Sequence, residues 1–173
     1  MFESPFNKIY YFYDVWQNGF NTLNNEVEII QGLPDEKFLG ELDPTMHKLL
    51  VLDDQQLNAL NSSIIAEIFT KYSHHKNLSV ILILQNLFHQ DKYSRDISLN
   101  THYFILFKNP RDINQIQLLG RQLGISKHLV DAYTKATKNP YSYLLIDLSP
   151  HSNPEYITRS HIFPGEHPTI YKE

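Results

Sequence analysis

Apolar residues fall into two rhythms along this chain, and the switches between them sketch its elements. Lys8 to Trp16 (KIYYFYDVW) is dense in aromatic and β-branched residues and predicts a strand. Residues 16–25 predict a short helix, and Val27-Glu28-Ile29-Ile30 predicts a second, shorter strand ended by Gly32-Leu33-Pro34. The polar stretch 35–46, with Gly40 and Pro44, predicts a short helix and a loop. His47-Lys48-Leu49-Leu50-Val51-Leu52-Asp53-Asp54 then runs apolar and stops on two adjacent carboxylates. Such a run predicts a buried parallel strand that delivers acids to the carboxyl edge of a sheet. Open α/β sheets bind their ligands at that edge.

Beyond it the period lengthens. Leu57, Leu60, Ile64, Ile65, Ile68 and Phe69 recur at helical spacing and predict a helix to Tyr72. Leu78 to Leu84 is almost uninterruptedly apolar, a strand ending at Gln85-Asn86, and a polar loop follows to about Asn100. His102–Lys108 predicts the next strand. Pro110 suits the first turn of a helix over 112–123, which Gly124 closes. Ser126 can cap another helix reaching about Thr137. Tyr141–Leu148 is the last clear strand, and the weak alternation from Tyr156 to Phe163 suits an edge strand. Strands alternating with helical patterns predict a mostly parallel sheet in an α/β layer fold, with residues 1–173 as one domain.

Composition narrows the classes. At 173 residues, 42% hydrophobic and 20% charged, the chain is globular in character. A net charge of −4 gives no general basic field for nucleic acid. The absence of cysteine excludes disulfides and thiolate metal sites. No apolar run reaches the roughly 18 residues that span a bilayer. These features predict a soluble protein of the cell interior with no membrane partner.

Three blocks carry a family resemblance. They are Leu49-Leu50-Val51-Leu52-Asp53-Asp54, the stretch from Ser73-His74-His75-Lys76 through Gln85-Asn86-Leu87-Phe88, and Phe107-Lys108-Asn109-Pro110-Arg111-Asp112. Tyr141–Leu148 and Ile162-Phe163-Pro164 extend the similarity almost to the C-terminus. Together they resemble the FtsK–HerA superfamily of DNA-pumping ATPases, in the branch of viral and virus-like transposon genome-packaging ATPases. The resemblance implies a three-layer, RecA-like P-loop NTPase core, with ATP and Mg²⁺ as cofactors of the complete protein and neither bound tightly by these residues alone. It also implies DNA as partner, a homo-oligomeric ring, and a cytoplasmic, nuclear or virion-associated location.

One part of that pattern is absent. None of the six glycines (Gly19, Gly32, Gly40, Gly120, Gly124, Gly165) is followed by Lys-Ser or Lys-Thr, so these residues hold no Walker A loop. The family's strand order, 5-1-4-3-2, makes the strand before that loop central. The chain is therefore expected to be a truncated product lacking its first strand and P-loop. The strands at 78–84 and 102–108 are then expected either to pair directly or to accept another segment, because unpaired buried edges are costly.

The resemblance assigns roles to particular residues. Asp53 becomes the Mg²⁺ partner, acting through water, and Asp54 the residue that orients and deprotonates the attacking water. Gln85, assisted by Asn86, becomes the polar sensor for the γ-phosphate or that water. Arg111 becomes an arginine finger toward a neighbouring subunit, with Arg95 the other candidate. Each has a plainer reading as well: strand-end acids make turns and caps, strand-end amides satisfy loop backbone, and surface arginines pair with the following Asp.

Two clusters remain. Lys71, His74, His75 and Lys76 could touch a DNA backbone or simply be a solvated helix end. Tyr10-Tyr11-Phe12-Tyr13 could stack bases, but alternation in a strand favours core on one side and rim on the other. The functional expectation is the C-terminal portion of a DNA-translocating ATPase, inactive as these residues alone. The alternatives are a degenerate, non-enzymatic relic that oligomerises or binds, and an unrelated α/β binding domain.

Overall fold

The computed structural model describes residues 6–23, 26–53, 62–86, 92–111 and 113–172. The chain is a mixed α/β protein that divides into two compact units, Met1–Asn100 and Thr101–Glu173.

The first unit is built on an all-parallel sheet of four strands: β1 (Lys8–Tyr13), β2 (Val27–Gln31), β3 (Lys48–Asp53) and β4 (Leu78–Ile83). Their spatial order is β2-β1-β3-β4. The sequence places all four strands within a residue or so of these bounds, except that β1 stops at Tyr13 and Trp16 lies outside it. β3, central and buried up to Asp53, is the strand that the unbroken apolar run predicts.

Strand register sorts the side chains into two faces. Phe12, Leu50, Leu52 and Leu78 lie on one, in a core with Leu39 and Leu42 from α1 (Glu36–Glu41) and its exit. The same core takes Ile65 and Ala66 of α2 (Ser63–Glu67), and Ile68 and Phe69 of the π-helical turn Ile68–Tyr72 that leads into α3 (Ser73–His75). The other face holds Tyr11, Tyr13, Val51, Asp53, Ile81 and Ile83. Over β1 it meets Phe20 of the 3-10 turn Asn18–Thr22. Over β4 it leaves Ile81 and Ile83 exposed.

Polar groups close the amino end of this sheet. Lys48, 2% exposed, donates from Nζ to the carbonyls of Asp43 and Met46, and burial pushes its ammonium below the usual lysine value. Lys76 donates to the carbonyls of Gly40 and Leu42 at 2.9 and 3.0 Å. Part of the basic cluster singled out in the sequence is thereby occupied with loop backbone, while His74 and His75 stay exposed.

Residues 92–100 correct one expectation. Within the stretch read as polar loop, Ser94–Leu99 forms a helix, α4, which buries Ile97 in the first unit's core. A single apolar anchor in six residues leaves too little periodicity to detect. Residues 54–61, where the preceding helix is expected to begin, and 87–91 lie outside the described residues.

The second unit corrects a larger one. Its sheet is antiparallel throughout: β5 (Tyr103–Phe107), β6 (Tyr143–Asp147), β7 (Thr158–Ser160) and β8 (Thr169–Ile170), in that order. A parallel arrangement is expected where helices separate strands, but here two helices of equal length intervene. α5 (Ile113–Leu123) and α6 (Ser126–Ala136) form a hairpin that returns the chain to where β5 ended, so Phe107 pairs with Tyr143 and β6 runs back. One crossover helix would have delivered it to the opposite end.

The hairpin turns at Gly124 (φ +75°), the left-handed position that favours glycine. Ser126 does not cap α6 but is its first residue, and its hydroxyl donates to the Gln117 carbonyl at 3.3 Å. Close approach explains Gly120: a Cβ there would lie 2.6 Å from the Ser126 Cα. The strands at 78–83 and 103–107 belong to different sheets and do not pair.

Candidate functional site

β3 ends at Asp53 and β4 ends two residues before Gln85, on the carboxyl edge of the parallel sheet. Asp53, Gln85, Gln17, Ile83 and Leu84 line one cleft of about 230 Å³. An acid and an amide that the sequence placed at the tips of two successive strands thus share a site. Adjacent parallel strands in register (Leu52 opposite Leu82, Asp53 opposite Ile83) bring them there.

Asp53 is half-buried, and its side-chain partner among the described residues comes from β1. The Tyr11 hydroxyl donates to Asp53 Oδ2 at 2.6 Å. Register explains the reach: Tyr13 lies opposite Asp53 and Tyr11 opposite Val51, so Tyr11 meets the carboxylate diagonally on the same face. Burial first, and then the hydrogen bond to Asp53, push the phenol well above the ordinary tyrosine value. It therefore remains a protonated donor throughout the usual pH range.

Tyr11 is itself held in place. Its ring packs on Phe20 with centroids 5.2 Å apart, and Phe20 also contacts Tyr13 at 5.1 Å and Trp16 at 5.3 Å. Phe20 is buried and Trp16 half exposed, so this aromatic wall has a wet outer rim beside Gln17. The run of aromatics in β1 divides as alternation suggests, with Phe12 in the core and Tyr11 and Tyr13 on the face toward Phe20.

The remaining sequence candidates are distributed as follows. Asp54 lies outside the described residues. Asn86 follows Gln85 at the end of β4 and is half-buried. Arg95 is exposed on α4 of the first unit. Arg111 is exposed in the turn after β5 in the second unit, where its backbone N–H donates to the Asn109 side chain at 3.2 Å. No ion pair to Arg95 or Arg111 occurs among the described residues, so for Arg95 the plain pairing with Asp96 is not made.

Sequence reasoning weighed Tyr11 only within the aromatic run and not as a partner of Asp53, and it did not single out Gln17. Tyr11 carried a usable signal, two residues before the end of a strand beside the acid-bearing one, but its partner is visible only once the β1–β3 register is known. Gln17 carried none.

In the second unit the strongest polar feature is Asp147, 7% exposed at the end of β6. Burial, the largest single influence, pushes its carboxyl up, but the Ser149 hydroxyl and amide and the Arg159 guanidinium together hold it below the usual value. This arrangement ties β6 to β7 and consumes the charge, which suits structure better than chemistry.

A magnesium ion fits the first site on chemical grounds. Such ions are held by one or two carboxylates together with water and substrate phosphates, so one strand-end acid whose Oδ1 accepts no hydrogen bond among the described residues suffices. Among the described residues no cluster of three or more His, Asp or Glu is present, which a dedicated all-protein metal cage would require. Among the described residues, too, no helix is long and apolar enough to cross a membrane. No protein-family model, curated protein or solved structure matches this chain.

Proposed function

We propose that these residues form the C-terminal portion of an ATPase of the FtsK–HerA kind that couples ATP hydrolysis to DNA movement. The observation that carries this reading is the shared cleft of Asp53 and Gln85, an acid and an amide on adjacent parallel strands at the carboxyl edge. Asp53 and the water around it would hold Mg²⁺, and Gln85, with Asn86, would orient a γ-phosphate oxygen or the attacking water. Bound there, the ion would neutralise charge on the phosphates. Asp54 is the acid that the resemblance assigns to activating water. Arg111 and Arg95, both exposed, are the cations offered to a neighbouring protomer's nucleotide in a ring.

A second feature supports a companion segment that carries the P-loop. Among the described residues, each unit leaves an apolar edge strand unpaired on one side: Ile81 and Ile83 on β4 are 42% and 44% exposed, and Tyr103, Ile105 and Phe107 on β5 are 54%, 47% and 60% exposed. Parallel sheets normally have both faces covered. A strand beside β4 with a helix over Ile81 and Ile83 would complete the three-layer, RecA-like arrangement and bring the backbone amides that grip phosphate.

The absence of Gly-Lys-Ser/Thr from these residues favours the alternative, a relic that retains the surfaces for binding or oligomerisation. Intact mass of the native protein from its source separates the two. A mass well above 20.3 kDa, with a strand and Gly-rich loop in the additional sequence, supports the ATPase. A mass of 20.3 kDa supports the relic. The 173 residues alone are expected to show no measurable MgATP hydrolysis, and robust turnover abolished by Asp54→Asn would overturn that expectation.

A further inference from the structure

Asp53 is held by a neutral donor, and this choice of partner has consequences for what the carboxylate can do. A lysine or arginine at the same distance would orient the carboxylate but cancel its charge. A phenol orients it and leaves the charge in place. The Tyr11 hydroxyl takes Oδ2 at 2.6 Å, and among the described residues Oδ1 accepts no hydrogen bond. Tyr11 has little freedom to let go, since its ring rests on buried Phe20 at 5.2 Å and its backbone is paired on both sides, to β2 and to β3. A chain of contacts thus runs from the 3-10 turn through Phe20 and Tyr11 to one oxygen of the acid, beside a cleft that Gln17 of the same segment helps to line.

We propose that Tyr11 is a positioning residue for the metal-binding carboxylate: it fixes Asp53 through Oδ2 so that Oδ1 is presented, fully charged, to a hydrated divalent cation in the cleft. This rests on the reading of Asp53 as the Mg²⁺ partner. It adds that β1, and not only the acid-bearing strand, sets the affinity of the site. Carboxylates that hold metal ions are commonly hydrogen-bonded in this way, and removing the outer partner typically weakens metal binding about 10- to 100-fold.

Mn²⁺ binding to the 173-residue chain, weak in the absence of phosphates and therefore titrated into the millimolar range, tests this without nucleotide or turnover. Loss of the free-ion EPR signal is measured for the wild type, Tyr11→Phe and Asp53→Asn, and far-UV circular dichroism checks each fold. Tyr11→Phe keeps the ring against Phe20 and deletes only the donor, so it is expected to fold and to weaken Mn²⁺ about 10-fold. Asp53→Asn is expected to abolish binding. Should Tyr11→Phe not fold, Phe20→Leu takes its place, because it keeps the phenol but loosens its support, and it too is expected to weaken Mn²⁺. Weakened binding by the donor or support variant together with loss in Asp53→Asn supports the proposal. Unchanged affinity in a folded Tyr11→Phe, or in Phe20→Leu where it substitutes, with loss in Asp53→Asn, overturns the positioning role and leaves the metal reading standing. A wild type that takes up no Mn²⁺ even at millimolar ion, or an Asp53→Asn that binds as the wild type does, overturns the metal reading and the proposal with it.

Discussion

The two units solve the same problem, covering a four-stranded sheet, in opposite ways. In the first, each strand is followed by a crossover that returns the chain to the same end, so all strands run parallel and their tips gather on one edge. In the second, a helical hairpin and then the loops 148–157 and 161–168 reverse the chain each time, and no such edge forms. Residues 1–100 hold seven Lys and Arg against thirteen Asp and Glu, and residues 101–173 hold eight against six. The acids therefore concentrate in the unit whose topology collects strand ends. The difference teaches that connection geometry decides where chemistry can assemble: Asp53, Gln85 and Tyr11 meet because their strands point the same way. Asp147, on an antiparallel strand, meets Ser149 and the Arg159 cation that neutralises it.

The sharpest way to break this contrast is to damage one unit and watch the other. Leu50, fully buried in β3, anchors the first core, and Leu50→Ala is expected to destabilise by about 2–5 kcal/mol. Hydrogen exchange should quicken across residues 6–86 and stay unchanged in β5–β7. Equal quickening in both would mean that the units unfold as one. A smaller effect belongs to the helical hairpin. Gly120→Ala drives a methyl into the Ser126 backbone and should cost about 1–3 kcal/mol, read as a lower Tm, with exchange rising in α5 and α6 first.

The smallest effect is conditional on pH. Asp147 titrates below its usual value in the folded state, so the stability it contributes is complete above the unfolded carboxylate value, near 3.8. That stability is lost as pH falls through the lower folded value. Asp147→Asn should therefore flatten the acid limb of the Tm–pH curve and leave its slope near neutrality unchanged. An unaltered acid limb would mean that the Ser149 hydrogen bonds and the Arg159 pairing together contribute no pH-dependent stability.

Much of the first unit was legible because its strands are apolar enough to stand out singly. β3 and β4 could be read from unbroken runs, and with them the placement of Asp53 and Gln85 at strand tips. What could not be read was anything that depends on two segments together. The Tyr11 hydrogen bond needs the β1–β3 register. The inward turn of Lys76 needs the loop at Gly40 and Leu42. The antiparallel second sheet needs the knowledge that α5 and α6 fold on one another, and only Gly120 and Gly124 hinted at that. α4 escaped because one buried isoleucine makes no period.

The outer rim of β4 has a further consequence, for the chain's life in a crowded solution. Leu78 to Leu84 contains no charge, proline or glycine, and its outward main-chain groups face no strand among the described residues. At the opposite rim, β2 carries Glu28, tied to Lys8 at 2.5 Å, a charged pair that discourages a newcomer. Among the described residues, one rim of the sheet thus carries a charged pair and the other is apolar and unpaired. Such a segment is a template for cross-β growth, so the colloidal lifetime of these residues is set by how quickly β4 is covered.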